Sequence, residues 1–181
     1  MKHFNLLKAL LLAPLAILLC NRASAQLSGT YTIGGTSPDY ATLSAAVADL
    51  NSNGVSGAVT FNIRSGSYTD NAVINNVAGA SATNRIVFRA ETGNPADVTI
   101  TNSASSTTNN YVFKLNGAKW VTIRDLSMVT TNNIYCIAVD FAGSSSKDSL
   151  VNCVLTGPNS NYTYYYAALV NSHITSASDI G

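Results

Sequence analysis

Residues 112–128, VFKLNGAKWVTIRDLSM, contain two runs of alternating apolar residues on either side of a short polar corner. Phe113 and Leu115 are two positions apart in the first run, and the second run, residues 120–128, keeps the same spacing. A period of two is typical of β-strands, because successive side chains point to opposite faces of a strand. The corner, residues 116–119, contains no two-residue hairpin signal, so we predict that it bends the chain without reversing it.

Similar strand-like runs recur along the chain at a nearly constant step. Four of them are marked by Phe61, Val87, Phe113 and Ala138, which are 26, 26 and 25 residues apart. A constant step is what successive turns of a coiled β-structure require, so we predict an all-β solenoid. A second series of strand-like runs interleaves with the first and occupies residues 72–75, 97–101, 120–128 and 150–156.

One segment, about residues 42–53, changes to the period of an α-helix. Thr42 can cap its start and Gly54 can end it. We predict that this helix caps the open end of the first turn, where the backbone edge has no neighbour. An ordinary helix of an α+β domain is the alternative. The apolar residues of the segment are spaced i, i+3, i+4 and i+7: Leu43, Ala46, Val47 and Leu50.

A late internal repeat gives a more specific prediction of stacking. Residues 150–156, LVNCVLT, and residues 169–175, LVNSHIT, are identical at four of seven positions. If the two segments stack, Asn152 lies on Asn171, and the side-chain amides can hydrogen-bond along the coil. Accidental similarity in a chain rich in Asn and Thr is the alternative.

The first 25 residues have the features of a secretory signal peptide. A basic start is followed by an apolar stretch at 9–20 and by the small-x-small sequence Ala-Ser-Ala at 23–25, which predicts a mature chain beginning at Gln26. The apolar stretch is too short to span a membrane. Lipidation of Cys20 is the weaker alternative, because the residue before it is not small.

The rest of the chain, residues 26–181, is predicted to be one β-helix domain. Residues 174–181 offer no capping helix, so a coil ending there would leave its last turn uncovered. We therefore expect the 181 residues to be the N-terminal part of a longer protein.

Composition and charge argue for a secreted protein without an affinity for polyanions. The sequence is 46% hydrophobic but only 10% charged. Ten basic residues face nine acidic ones, and loss of Lys2, Lys8 and Arg22 leaves seven basic residues and a net charge near −2. No basic patch is visible that would bind nucleic acid.

Two cysteines, Cys136 and Cys153, remain after the predicted cleavage. Both lie in apolar strand-like runs, and a secreted protein is in a compartment that permits disulfides. Two buried thiols and one disulfide bridge therefore stay open as alternatives.

Three stretches together carry a resemblance to a known family. They are GTYTIGGTSPDYATLSAAVADLNSNG at 29–54, GAVTFNIRSGSYTD at 57–70 and LNGAKWVTIRDLSM at 115–128. In this combination the chain resembles the N-terminal part of secreted bacterial right-handed parallel β-helix proteins of the pectin-lyase-like superfamily. The resemblance implies that fold, but the superfamily includes lyases, hydrolases, adhesins and stalks, so it does not select one activity.

The enzymes of that superfamily act on acidic polysaccharides, and the resemblance implies which residues to seek. A lyase needs clustered carboxylates for Ca²⁺ and a basic residue, and a hydrolase needs paired carboxylates. No two acidic residues are adjacent, and no Asp-x-Asp occurs. We therefore predict no catalytic residue, no metal ligand and no cofactor in this chain.

Individual polar residues fit structural roles better than chemical ones. Arg124 and Asp125 are adjacent in a strand, so their side chains are expected to point to opposite faces, and His173 is the only histidine after the predicted cleavage site. No G-x-S-x-G nucleophile sequence accompanies that histidine. Three further acidic residues would join the Arg124–Asp125 pair only if the turns brought them into register: Asp97, Asp140 and Asp148.

Four tyrosines supply the candidate binding residues: Tyr162, Tyr164, Tyr165 and Tyr166. Tyrosine combines a flat apolar ring with a hydroxyl group, which suits both sugar rings and protein surfaces. Packing of this loop onto its own turn is the alternative. Trp120 is likewise expected to pack at the edge of the coil rather than to serve as a platform for a sugar.

The sequence as a whole predicts a non-catalytic secreted or cell-surface scaffold for adhesion or glycan contact. The expected partners are an extracellular polysaccharide or another surface protein, with no nucleic acid and no membrane span after signal removal. The alternative is the N-terminal part of a polysaccharide lyase or glycoside hydrolase whose catalytic residues lie on later turns.

Overall fold

A computed structural model describes residues 25–102, 104–132, 134 and 137–158, together with the backbone of Leu169–Asn171. This part of the chain is mostly parallel β-sheet, with one α-helix and one short 3-10 helix. The predicted signal peptide lies outside it except for Ala25. No helix of the described residues is both long enough and apolar enough for a membrane span.

The helices are α1, Leu43–Asn53, and a 3-10 helix at Pro95–Asp97. The strands in chain order are β1 Leu27–Ile33, β2 Val55–Ile63, β3 Gly66–Thr69, β4 Ala72–Asn75, β5 Ile86–Ala90, β6 Val98–Asn102, β7 Tyr111–Asn116, β8 Val121–Arg124, β9 Ser127–Thr130, β10 Ile137–Ala142, β11 Ser149–Val151, β12 Val154–Thr156 and β13 Leu169–Asn171.

The strands form three sheets in which every pair of neighbouring strands is parallel. Sheet A has the order β1-β2-β5-β8-β11, sheet B has the order β12-β9-β6-β3, and sheet C has the order β13-β10-β7-β4. From β2 onward the chain enters sheets A, B and C in rotation. This topology is compatible with a parallel β-helix.

The core lies between the sheets and is filled by the inward residues of each strand. Sheet A contributes a row of register partners: Tyr31, Phe61, Phe88, Ile123 and Leu150. The rings of Phe61 and Phe88 stack with centroids 4.7 Å apart, and both side chains are fully buried. Most of the other buried residues are aliphatic, and burial of this apolar area stabilises the fold.

Helix α1 confirms the predicted helix and its buried face. The Thr42 hydroxyl accepts a hydrogen bond from the Ala45 N–H at 3.1 Å, and Gly54, with a φ of +67°, ends the helix and donates its N–H to the Leu50 carbonyl. A positive φ at the end of a helix favours glycine. The buried residues are the four that the spacing predicts: Leu43, Ala46, Val47 and Leu50.

The outer edge of β1 is covered by the loop that follows the strand. Thr32 donates its N–H to Asp39 Oδ2 at 2.7 Å, and the Thr32 carbonyl accepts from the Tyr40 N–H at 3.0 Å. The Ser28 N–H donates to the Tyr31 hydroxyl at 3.3 Å. These contacts satisfy backbone groups that an edge strand would otherwise offer to another chain.

The register differs from the predicted stacking in two respects. Phe61 pairs with Phe88 in sheet A, whereas Phe113 lies in sheet C opposite Val139, so the series with a constant step mixed strands of two sheets and was wrong. The stretch 112–128 accordingly contains parts of three strands, one from each sheet. The number of residues between neighbouring strands of one sheet varies because the connections between strands differ in length.

The stacking predicted from the late repeat was also wrong. Strand β13 pairs with β10 in sheet C, where Asn171 lies opposite Phe141 rather than on Asn152. Similarity of short segments does not determine which strands become neighbours, because sheet A and sheet C strands share the same apolar alternation.

Candidate functional site

Most of the basic residues lie in or next to the strands of sheet A. Of the seven that remain outside the predicted signal peptide, only Lys114 lies in another sheet, in β7. The other six are in the strands of sheet A or within two residues of them: Arg64, Arg85, Arg89, Lys119, Arg124 and Lys147. Three acidic residues also adjoin these strands: Glu91 after β5, Asp125 after β8 and Asp148 before β11.

Two arginines stand next to each other on the outer face of sheet A. Arg89 in β5 and Arg124 in β8 are register partners, so they are separated by one strand spacing, about 4.8 Å. Arg89 donates from Nε to the Asn62 Oδ1 at 2.9 Å. Each guanidinium has five donors in a fixed plane, so both retain donors for an oxygen-rich ligand.

Asp125 anchors the second of these arginines. Its Oδ2 lies 2.7 Å from Arg124 Nε, and its Oδ1 accepts from the Asn152 side chain at 2.8 Å. Burial alone would raise the pKa of Asp125, but the hydrogen bonds from Arg124 and Asn152 hold that pKa below its ordinary value. The carboxylate therefore fixes Arg124 and is not free to act as a base.

The expectation that Arg124 and Asp125 point to opposite faces was wrong. Asp125 follows the last residue of β8 and has a φ of +56°, which breaks the alternation of the strand. The two side chains can therefore meet, and the Asp125 side chain is buried. The structural role predicted for the pair fits this geometry.

A second cluster lies at the corner where the chain passes from sheet C to sheet A. This corner cluster contains Arg85, Trp120, Thr122, Lys147 and Asp148. Arg85 donates from Nη2 to Thr122 Oγ1 at 3.2 Å and to the Lys147 carbonyl at 3.4 Å. Its guanidinium carbon lies 5.7 Å from the centroid of the Trp120 ring, which is within the range of a cation–π contact.

Asp148 is the unusual member of the corner cluster. Its Oδ1 accepts from the Val121 N–H at 2.8 Å, which ties the start of β11 to the start of β8. Its Oδ2 is buried and has no hydrogen-bond partner among the described residues. Burial raises the pKa of Asp148 to about 7, although the Val121 N–H and the Arg85 charge act in the opposite direction.

The other acidic residues considered in the sequence do not converge on the Arg124–Asp125 pair. Asp140 is a buried residue of β10 in sheet C, 3.1 Å from Lys114 Nζ. Asp97 lies in the 3-10 helix before β6, and Asp148 lies at the start of β11, at the opposite end of the sheet A strands from Asp125. Within the described ranges, no group of three or more His, Cys, Asp or Glu side chains could hold a metal ion.

The tyrosines proposed for binding, Tyr162, Tyr164, Tyr165 and Tyr166, lie outside the described residues, as do His173 and Cys136. Cys153 has a free, half-buried thiol, and burial raises its pKa. The Cys153 thiol contacts the Ile123 carbonyl at 3.6 Å. This weak hydrogen bond and the partial burial fit a structural thiol.

The corner cluster was not predicted from the sequence. Arg85 and Asp148 are 63 positions apart and belong to no motif. The available signal is positional, because Arg85, Trp120 and Asp148 each directly precede a strand of sheet A. That signal depends on the strand register, which the sequence left open.

No protein-family model, curated protein or solved structure matches this chain.

Proposed function

We propose that the three sheets form a right-handed parallel β-helix whose first turn is capped by α1. The rotation of the chain through sheets A, B and C supports this architecture, since a parallel strand order with short connections requires a continuous winding path. The buried face of α1, which joins the same core as the strands, supports the capping role. The resemblance to the pectin-lyase-like superfamily points the same way.

We propose that the chain acts as a non-catalytic secreted or cell-surface scaffold for adhesion or glycan contact. The observation that carries this proposal is the outer face of sheet A, where Arg89 and Arg124 stand beside Asn62 and Thr122 on a rigid parallel sheet. Guanidinium, amide and hydroxyl groups held at one strand spacing can donate several hydrogen bonds to a repeating chain of hydroxyl groups. No rearrangement of the backbone is needed for such contacts.

The four tyrosines, Tyr162, Tyr164, Tyr165 and Tyr166, remain the proposed aromatic contribution. Their rings would stack on sugar rings while the arginines donate hydrogen bonds. An extracellular polysaccharide is the favoured partner, and another surface protein is the second.

A glycan array probed with the secreted full chain tests this proposal. Arg89→Gln combined with Arg124→Gln should reduce binding to the best glycan about tenfold or more, because two charge-assisted contacts are lost. The matched control is Thr99→Ala combined with Thr101→Ala, which lie at corresponding outward positions of β6 in sheet B.

If the variant with Arg89→Gln and Arg124→Gln binds the glycan as the unmodified chain does, sheet A is not the contact face. The same conclusion follows if the control variant with Thr99→Ala and Thr101→Ala loses as much binding. Far-UV circular dichroism establishes that each variant folds. Retention of binding by Tyr164→Ala combined with Tyr165→Ala would remove only the tyrosine part of the proposal.

A further inference from the structure

The corner cluster couples a half-buried carboxyl group to the chain's only tryptophan. Trp120 is unique in the sequence, and its ring is covered on one side by the Arg85 guanidinium. The same guanidinium contacts the carbonyl of Lys147, the residue directly before Asp148. Arg85 is therefore close to two groups that can attract it, an aromatic ring and a carboxyl group.

The charged groups around Asp148 come from three neighbouring strands. Arg85 precedes β5, Lys119 precedes β8, and Lys147 precedes Asp148 itself, before β11. Lys119 and Lys147 are exposed, whereas Arg85 is half-buried. Arg85 is the one whose charge lowers the pKa of the carboxyl group.

The neutral and the ionised forms of the Asp148 carboxyl group need different partners in the corner cluster. As a neutral acid, Asp148 keeps its bond from the Val121 N–H and leaves one buried oxygen unpaired, which the fold tolerates at moderate cost. As a carboxylate it would place a negative charge on that buried oxygen, which needs a cationic partner. The observed arrangement, with Oδ2 unpaired and Arg85 on Trp120, fits the neutral acid.

We propose that Asp148 and Arg85 form a pH-sensitive switch that covers and uncovers the Trp120 ring at the end of sheet A. When Asp148 is neutral, Arg85 lies over Trp120. When Asp148 releases its proton to solvent, the Arg85 guanidinium moves to Asp148 Oδ2 and leaves the ring open. The movement is short, because Arg85 already contacts the peptide group before Asp148.

The switch has a consequence for binding that rests on the proposed function. Trp120 adjoins the outer face of sheet A, and an open indole ring is a surface on which a sugar ring can stack. Above neutral pH the face would gain an aromatic contact, and below neutral pH Arg85 would cover that contact. The switch itself requires no ligand.

Tryptophan fluorescence of the ligand-free secreted chain tests the switch. Acrylamide quenching of Trp120 should rise between pH 5 and pH 9 along one titration curve with a midpoint near the Asp148 pKa of about 7. Asp148→Asn should lose this transition and stay at the low-quenching level, since the amide does not ionise. Arg85→Gln should show high quenching at every pH, because no guanidinium covers the ring.

Two further variants keep the result decisive. His173→Gln should retain the transition, which separates the Asp148 carboxyl group from the only imidazole outside the predicted signal peptide. Asp148→Glu should retain a transition with a shifted midpoint. This variant tests the assignment to the carboxyl group at position 148 if Asp148→Asn does not fold. A flat wild-type titration, or a transition that survives in Asp148→Asn, would overturn the switch, and its loss in His173→Gln would assign it to the imidazole instead. Failure of glycan binding with the transition intact would instead count against the proposed function.

Discussion

At the scale of single residues, Asp125 combines a left-handed backbone with a paired carboxylate. Asp125→Asn isolates the charge, because asparagine also tolerates a positive φ and has nearly the same shape. We expect a loss of about 1.5–3 kcal/mol in the free energy of unfolding at pH 7, the usual range for a hydrogen bond to a charged group. Urea denaturation of both chains at pH 7 and pH 3 measures it.

The pH dependence of this effect follows from the direction of the pKa change. The folded-state pKa of Asp125 lies below its ordinary value of 3.8, so the contribution is present above 3.8 and is lost as the pH falls through the folded-state value. The difference between wild type and Asp125→Asn should therefore shrink at acid pH. Asp97→Asn is the matched control, with little change expected, and a difference that does not depend on pH would contradict the ion pair.

Residue roles were predictable where alternation alone decides them. Phe61, Phe113 and Ile123 point inward as the period of two requires. The meeting of Arg124 with Asp125 was not predictable, because it depends on one left-handed residue at the end of β8. A left-handed backbone φ at a single residue does not change the alternation of apolar residues, so the sequence pattern does not reveal it.

At the scale of secondary-structure elements, β1 depends on its loop for protection of its outer edge. Asp39 accepts bonds from both the N–H and the hydroxyl group of Thr32, and these bonds lower the Asp39 pKa, so the carboxylate stays ionised. We expect Asp39→Ala to open this edge and to cause concentration-dependent association through strand pairing. Size-exclusion chromatography with light scattering measures the association.

Asp39→Asn is the control for that experiment, since the amide oxygen can still accept the bond from the Thr32 N–H. We expect Asp39→Asn to behave as the wild type does. Equal association of the two variants would mean that the charge, rather than coverage of the β1 edge, keeps the chains apart.

The helix was the element most completely predicted. Its cap, its end and its four buried residues all follow from local spacing. Strand partners were less predictable, because pairing depends on how many residues separate one strand from the next. Because the connections differ in length, markers at a nearly constant spacing in the sequence fall first in strands of sheet A and then in strands of sheet C.

At the scale of the whole molecule, the secretion prediction can be tested directly. Expression of the full chain in a secreting bacterial host should release a protein whose first residue is Gln26, because the small residues at 23 and 25 suit signal peptidase. Intact-mass and N-terminal sequence analysis of the medium measure this. Ala25→Pro should block processing, and retention of residues 1–25 on the secreted wild type would contradict the prediction.

The class of fold could be anticipated from the sequence, but the candidate site could not. Parallel sheets of short strands follow from repeated apolar runs without hairpin turns. The corner cluster brings together residues from three successive strands of sheet A, so it exists only once the register is set. The tyrosine site rests on residue type alone.

The connections that lead from sheet C to sheet A differ in length while sheet A stays continuous. They comprise residues 76–85, 117–120 and 143–148, that is ten, four and six residues. Gly79 in the longest is fixed, since a Cβ there would lie 1.9 Å from the Val55 carbonyl oxygen, whereas Ala82 and Thr83 are exposed. Evolution can therefore lengthen this side of the molecule without disturbing the core, and residues 82–83 offer an engineer a place to graft a foreign peptide for display.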